Sequence, residues 1–352
     1  MAARALYELW SGTPAVLVNS PPGAGKSTLV CELVHQLFGR HSGLRIGVAT
    51  PTRRAAADIA GRLAEQLHSG KPDAAGVVWL KLSNVRPDEH RLGVQSYGFA
   101  GDPADMVQVL TVASATIKQP ALDLLIIDEA YQVTMDQLVR AAAHCDQLLL
   151  VGDPGQIGPV TTANTAPWEG KGIQPHRRAP EVVGGYPDAH VLNLSSTFRL
   201  GTDTVKVIGP LYSFEFGSQR PSRNVTTKTG VILPEVSHHL IEQAPNTTDL
   251  RHMRAAAMMA AQLSGGVLTE TVDGQVSRHR IAPADLAVVV SHNSQSNGVS
   301  TLLDSWGLGE VAVGTADKLQ GGQWAAVVAI DPVVGHRRLS GHQLNLGRLC
   351  VM

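Results

Sequence analysis

Three short stretches of this chain carry residue types that handle a phosphate group. The first, Pro22-Gly23-Ala24-Gly25-Lys26-Ser27, joins glycines to a lysine and a hydroxyl. Glycines let successive backbone N–H groups turn toward phosphate oxygens, and the start of a following helix adds partial positive charge. In such a loop Lys26 is expected to bridge the β- and γ-phosphates and Ser27 to ligate Mg²⁺. The second stretch, Asp128-Glu129, ends an apolar run from Leu124 to Ile127. Asp128 is placed to hold Mg²⁺, and Glu129 is the natural base for an attacking water, a role worth about 10² to 10⁴ in rate. The third, Gly152-Asp153-Pro154-Gly155-Gln156, closes the run Leu148 to Val151 and delivers Gln156 to the same crevice. A phosphate loop alone implies a nucleotide; a third strand that brings in a glutamine implies a sensor of the terminal phosphate. A turn with its lysine in solvent, or an aspartate capping a helix beside a solvated glutamate, is the structural alternative for the first two. Ser20 stands where the G-x-x-x-x-G-K-[ST] pattern begins with glycine.

These loops need parallel strands to bring them together. Short apolar runs alternate with helical segments through the first half, the pattern of a mainly parallel sheet covered on both faces. Strands are expected at Ala15–Asn19, Arg45–Thr50, Val107–Ala113, Leu122–Ile127 and Gln147–Val151, a five-stranded core. Leu29, Val30, Leu33, Val34, Leu37 and Phe38 form a helical stripe, and an alanine-rich helix runs from about Arg53 to Leu67. Residues 69–105 read as a small insertion with one strand at Val77–Leu82. Strand character returns at Val191–Leu194. A second α/β unit is expected from about residue 196, with strands at Gly230–Leu233, Leu286–Ser291, Val311–Val313 and Ala325–Ile330 and a helix over Asp249–Leu263.

The 352 residues are ample for two domains. Hydrophobic content of 43% and charged content of 17% suit a soluble α/β protein, and the 35 glycines and 20 prolines are spread as strand-end loops would require. A net charge of −1 argues against a broadly basic coat but permits a narrow basic groove. Cys31, Cys145 and Cys350 lack metal-ligand spacing; Cys31 and Cys145 read as buried free thiols. No stretch looks long enough to span a bilayer, and a cytoplasmic location is the default expectation.

In order, GAGKS, DEAY and GDPGQI resemble motifs I, II and III of superfamily 1 helicases. Thr50-Pro51-Thr52-Arg53-Arg54-Ala55 resembles motif Ia, and Leu110-Thr111-Val112-Ala113-Ser114 the next strand-end contact with nucleic acid. Leu194-Ser195-Ser196-Thr197-Phe198-Arg199 is similar to the "L-x-x-x-[YF]-R" segment at the domain junction, and residues 313–323 to motif V. The set spans about residues 15–350 and most resembles AAA-family ATPases and DNA helicases of bacteria and their phages, which read "VGDPGQI-x-PV" before a Trp, as Val151–Val160 and Trp168 do here.

The resemblance implies an α/β fold of two RecA-like P-loop domains, 1–195 and 196–352, each a mainly parallel sheet flanked by helices, with ATP and Mg²⁺ between them. It implies that Gln156 contacts the γ-phosphate or its water. It makes Arg199 an arginine finger, worth about 10³ to 10⁵ in turnover in other phosphoryl-transfer enzymes. Gly23, Ala24, Gly25, Thr28 and Gly321 join Lys26, Ser27 and Asp128 in holding the nucleotide and its metal. Thr52, Arg53, Thr111, Ser114 and Thr315 are expected on the backbone of a single strand, DNA rather than RNA, because small hydroxyls position without reading bases. Cap, turn and salt-bridge roles are the alternatives. Trp168, Phe198 and Trp324 are candidates for base stacking. Two departures stand out. Gln323 replaces the usual motif V glutamate, and the strand expected at Leu349–Met352 stops before the motif VI arginine. The second domain is therefore expected to be incomplete at its C-terminus, with Arg348 as a substitute on the wrong side of the strand pattern.

Three functions follow for comparison. An ATP-dependent DNA helicase or single-strand translocase would couple hydrolysis to domain closure and strand movement. A nucleic-acid-binding remnant or regulator would hydrolyse little. A small-molecule P-loop kinase would not need the Gly314-to-Gly321 segment on a second domain.

Overall fold

The computed structural model describes residues 1–40, 43–68, 78–96, 106–172, 174–242, 246–338 and 346–351. It divides into two units, Met1–Pro154 with Gly158–Ser196, and Gly155–Ile157 with Thr197–Met352. Much of the insertion expected at 69–105 lies outside the described residues.

The first unit is built on β1 (Ala15–Asn19), β2 (Ile46–Thr50), β3 (Val78–Leu80), β4 (Val94–Gln95), β5 (Val107–Thr111), β6 (Leu122–Asp128), β7 (Cys145–Gly152) and β8 (Ala189–Asn193). All eight are parallel, in the order β4-β3-β5-β2-β6-β7-β1-β8. The five strands expected from sequence make its middle. The runs read around Val77–Leu82 and Val191–Leu194 join as β3 and β8, and two-residue β4 is too short to show a pattern.

Helices α1 (Ala2–Trp10), α2 (Lys26–Arg40) and α3 (Arg53–His68) cover one face; α4 (Val112–Lys118) and α5 (Met135–Ala141) belong to the other. Alternation along each strand explains why its apolar runs are continuous. Val16 and Val18 of β1 and Ile126 of β6 pack with Leu33 and Val34 of α2 and Leu63 of α3. Leu17 and Ile127 point the opposite way, into a cluster with Val112 and Leu138. Each such fully buried aliphatic side chain contributes about 1.5–3 kcal/mol relative to exposure.

Register fixes the functional edge. Asn19 is level with Gly152, Asp128 with Val151, and Thr50 with Thr111, so the C-terminal ends of β1, β6, β7, β2 and β5 share one rim of the sheet. Ligands of open parallel sheets bind at that rim.

In the second unit, Leu286–Val290 pairs in parallel with Ala312–Thr315 and Ala326–Ala329. Helices Leu250–Leu263 and Asn293–Ser305 pack on this three-stranded sheet through Met253, Ala257, Ala260, Val299 and Leu303. The unit also carries a four-stranded antiparallel sheet of Ile232–Leu233, Ser222–Thr226, Val267–Val272 and Gln275–Arg280. Sequence reading caught only its shortest strand, because Gln275–Arg280 is exposed throughout and shows no apolar alternation. The strand expected at Leu349–Met352 is replaced by a helix, Leu346–Val351; a short apolar run without flanking turn signals fits either element.

All three cysteines are free, and burial pushes the thiols of Cys31 and Cys145 up to about 11. No described helix is long and apolar enough to cross a membrane.

Candidate nucleotide site

The loop between β1 and α2 turns through two left-handed glycines, Gly23 at φ 71° and Gly25 at φ 85°, a backbone region open to glycine at little cost. Lys26 and Ser27 then begin α2, so their side chains sit where the first N–H groups of the helix lack intrahelical acceptors. Ser20, in place of the usual first glycine, is fully buried, donates its Oγ to Pro21 O at 2.9 Å and ties its N–H to Gly152 O at 2.9 Å. The serine therefore links the phosphate loop to the β7 turn.

The sheet brings Asp128 and Glu129 to this loop. Ser27 Oγ donates to Asp128 Oδ2 at 3.3 Å, and Lys26 Nζ lies 3.5 Å from Glu129 Oε1. Asp128 is buried, and the Glu129 N–H donates to its Oδ1 at 3.0 Å. Burial, then the neighbouring Glu129 charge, push the Asp128 carboxyl above the ordinary aspartate range, while Lys26 and the Ser27 hydroxyl pull it down. Glu129 itself has left-handed backbone, φ 57° and ψ 42°, and its Oε2 is buried without a hydrogen-bond partner among the described residues. A buried carboxylate beside a hydroxyl is an oxygen donor pair that suits a hard divalent cation, and the orphaned Oε2 can accept from a water. Among the described residues no group of three or more His, Cys, Asp or Glu could enclose a metal. Mg²⁺ here would be held by Ser27 and Asp128 and otherwise by phosphate and water, its usual manner with nucleotides.

Two supporting residues were not legible as such. Tyr131 donates its hydroxyl to Asn19 Oδ1 at 2.8 Å, and a Cβ on Gly152 would come within 2.9 Å of its ring. Burial pushes the Tyr131 phenol up to about 12, which keeps it a donor. Arg178 donates to Pro154 O at 2.9 Å and fills the space that a Cβ on Gly158 would need. The Tyr in DEAY and the Arg177-Arg178 pair were the available signals.

The hydroxyls assigned to nucleic acid share the C-terminal rim of β2 and β5. Thr111 Oγ1 accepts from Ser114 N at 3.1 Å and caps α4; Thr52 Oγ1 accepts from Ala55 N at 3.2 Å. Each retains its O–H as a donor, and Ser114 is half-buried. Arg53, expected beside these hydroxyls, is engaged with residues of its own unit. Its guanidinium is clamped on Glu89 by Nε–Oε1 at 2.7 Å and Nη2–Oε2 at 2.6 Å, and reaches Ser83 O and Asn84 O at 2.9 and 3.0 Å. A fork engaged at four acceptors is a structural brace between α3 and the 83–89 segment.

Gln156, Arg199, Thr315 and Gly321 belong to the second unit. There Ile157 packs with Val289, Ala316 and Leu319. Gly155 lies against the Tyr212 hydroxyl, and the Tyr212 ring is 5.6 and 5.0 Å from those of Phe214 and Phe216. The backbone N–H groups of Arg199 and Leu200 both donate to the buried Thr197 Oγ1 at 3.2 Å, which leaves the Arg199 side chain exposed. Thr315 starts the short helix Ala316–Leu319, and Gly321 has φ 85°. Arg348, the substitute weighed for a second arginine, pairs instead with Asp317 at 3.1 and 3.3 Å. Trp168 is covered by Lys171 Nζ at 5.3 Å from its ring centre.

Comparison with known proteins places these features in context. Residues 4–162 match an AAA domain, and residues 102–254 match the viral superfamily 1 RNA helicase core domain. A Danio rerio protein named as a helicase, mov-10-B.1, is 21% identical over 360 residues, which covers 89% of this chain and 35% of that protein. Among solved structures, the PRRSV helicase is similar at 14% identity and TM-score 0.49, over 99% of this chain and 51% of the other. The Bacteroides Pif1 complex with ADP-AlF4 is similar at 20% identity and TM-score 0.34, over 60% and 45%. The chain thus spans about a third of the length of the Danio rerio relative and about half of the PRRSV helicase.

Proposed function

We propose that this chain is a P-loop protein of the superfamily 1 helicase type that hydrolyses ATP to move along or unwind nucleic acid. The observation that carries the reading is the convergence of Lys26, Ser27, Asp128 and Glu129 at the rim of one parallel sheet, with contacts of 3.3 and 3.5 Å. Mg²⁺ bound with the nucleotide would supply charge neutralisation at the phosphates. The backbone turn at Gly23–Gly25 and Lys26 cradle the phosphates, with Ala24 and Thr28 beside them. Glu129 orients a water through its free Oε2 and takes its proton. Gln156 reads the terminal phosphate, Arg199 steadies the charge that develops on it, and Gly321 contributes to nucleotide binding. Thr52, Thr111, Ser114 and Thr315 hold a single strand by its phosphates, and DNA is the proposed track.

The test is ATP turnover measured alone and with matched single-stranded DNA and RNA oligomers. Strong stimulation supports a motor, and the better oligomer names the track. Turnover that ignores nucleic acid but needs a small acceptor would replace this reading with a kinase. Binding without turnover would replace it with a regulator or remnant.

A further inference from the structure

The antiparallel sheet of the second unit has two faces of opposite character. Register puts Leu233, Val225, Leu268 and His279 in one row, and Leu268 is buried in the core with Val225 and Leu233 packed on it. The alternating residues therefore face outward: Ser222, Asn224, Thr226, Ile232, Val267, Thr269, Thr271, Val276, Arg278 and Arg280.

Charge sorts by face. On the core side, Arg223 lies 3.3 Å from Glu270, and His279 lies 2.9 Å from Asp285. On the outer face the strands contribute no Asp or Glu, and Arg278 and Arg280 form no ion pair among the described residues. Lys228 adds to them: a Cβ on Gly265 would lie 3.8 Å from Arg280 Nη2 and 4.0 Å from Lys228 Cβ. Three cations without carboxylates gather on a chain whose net charge is −1.

Protection of an edge strand explains charged residues on Gln275–Arg280. It does not explain their segregation to one face, or the hydroxyl and amide groups of Ser222, Asn224, Thr269 and Thr271 on the two strands behind them. Guanidinium forks with Ser, Thr and Asn donors are the set that binds phosphate and sugar oxygens. Arg278 and Arg280 are two residues apart on one face, about 6.8 Å along the strand, so both can engage one nucleic-acid strand.

We propose that this outer face is a second nucleic-acid contact, gripping the sugar-phosphate backbone apart from the strand-end hydroxyls. The proposal rests on the nucleic-acid reading above.

The test uses the full chain, a fluorescent single-stranded DNA oligomer and anisotropy titrations at several salt concentrations. R278Q/R280Q removes two exposed cations that make no ion pair among the described residues, so thermal stability and nucleic-acid-free ATP turnover should stay at wild-type values. Affinity at low salt should fall about tenfold or more, and the salt slope should drop by about 1.4, near 0.7 for each lost phosphate contact on a single strand. R140Q/R177Q, which removes two exposed arginines of the first unit, should change neither. Wild-type binding with an unchanged slope in R278Q/R280Q would overturn the second contact and leave the motor reading intact. Equal losses in both variants would reduce the effect to net charge and overturn it too. Absence of binding by the wild-type chain would overturn both readings.

Discussion

Lys26 Nζ stands 3.5 Å from Glu129 Oε1, so the cation of the phosphate loop and the carboxylate after β6 form one ion pair. Both side chains are largely withdrawn from solvent, at 10% and 27% exposure, and both are assigned to the same phosphate chemistry. Changing either residue therefore alters the electrostatic setting of the other.

Lys26→Ala should bring ATP binding and hydrolysis to background. It removes the phosphate cation and leaves Glu129 beside Asp128 without its counter-charge. Equilibrium binding of a fluorescent ATP analogue, read with phosphate release, checks this; wild-type turnover would dismiss the site.

Glu129→Gln should lower turnover by about 10² to 10⁴ while ATP affinity holds or rises. The amide keeps the shape but cannot take a proton, and Lys26 loses a competitor for the phosphates. Single-turnover hydrolysis and a binding isotherm on the same preparation separate the two effects. A large loss of affinity would move Glu129 from base to binding residue.

Gly152→Ala should destabilise the first unit by about 1–3 kcal/mol, a typical cost of overpacking. The added methyl would meet the Tyr131 ring at 2.9 Å and the backbone nitrogens of Ala130 and Tyr131 at 3.0 and 3.1 Å. Thermal melts of the variant and wild type give the answer, and an unchanged midpoint would show that the turn can yield.

Glu89→Gln should destabilise the chain in a pH-dependent way. Arg53 hydrogen bonds, then the Arg86 N–H, hold the Glu89 carboxyl down to about 2 from an ordinary 4.5. A carboxyl with a depressed folded-state pKa stabilises the fold above its unfolded value and loses that contribution as pH falls toward the folded one. The difference in melting midpoint between wild type and variant should be constant above about pH 5 and should shrink between 4.5 and 2. A difference that stays flat through that window would separate the brace from the charge on Glu89.

The candidate nucleotide site was legible because its parts are local. Pro22 to Ser27 and Asp128-Glu129 each sit on a strand-to-loop transition, and parallel register alone brings such ends together. The brace made by Arg53 was not legible because its partner, Glu89, lies 36 residues away in a Pro-Asp segment with no periodic signal. Gly152 was seen as a turn residue, yet the close approach of Tyr131 that demands it depends on how two strand ends pack. The antiparallel sheet escaped for a different reason. Its edge strand has no buried side to announce it, and its meaning lies in which face each arginine takes, a property set by pairing.

Glu129 carries a consequence beyond chemistry. A non-glycine residue with left-handed backbone costs about 1–2 kcal/mol, and this one is held at φ 57°. Glycine at this position would relax the turn and delete the carboxylate. Selection for thermal stability alone should therefore drift toward Glu129→Gly, and a sequence library sorted first for heat resistance and only then for turnover would discard its active members at this codon.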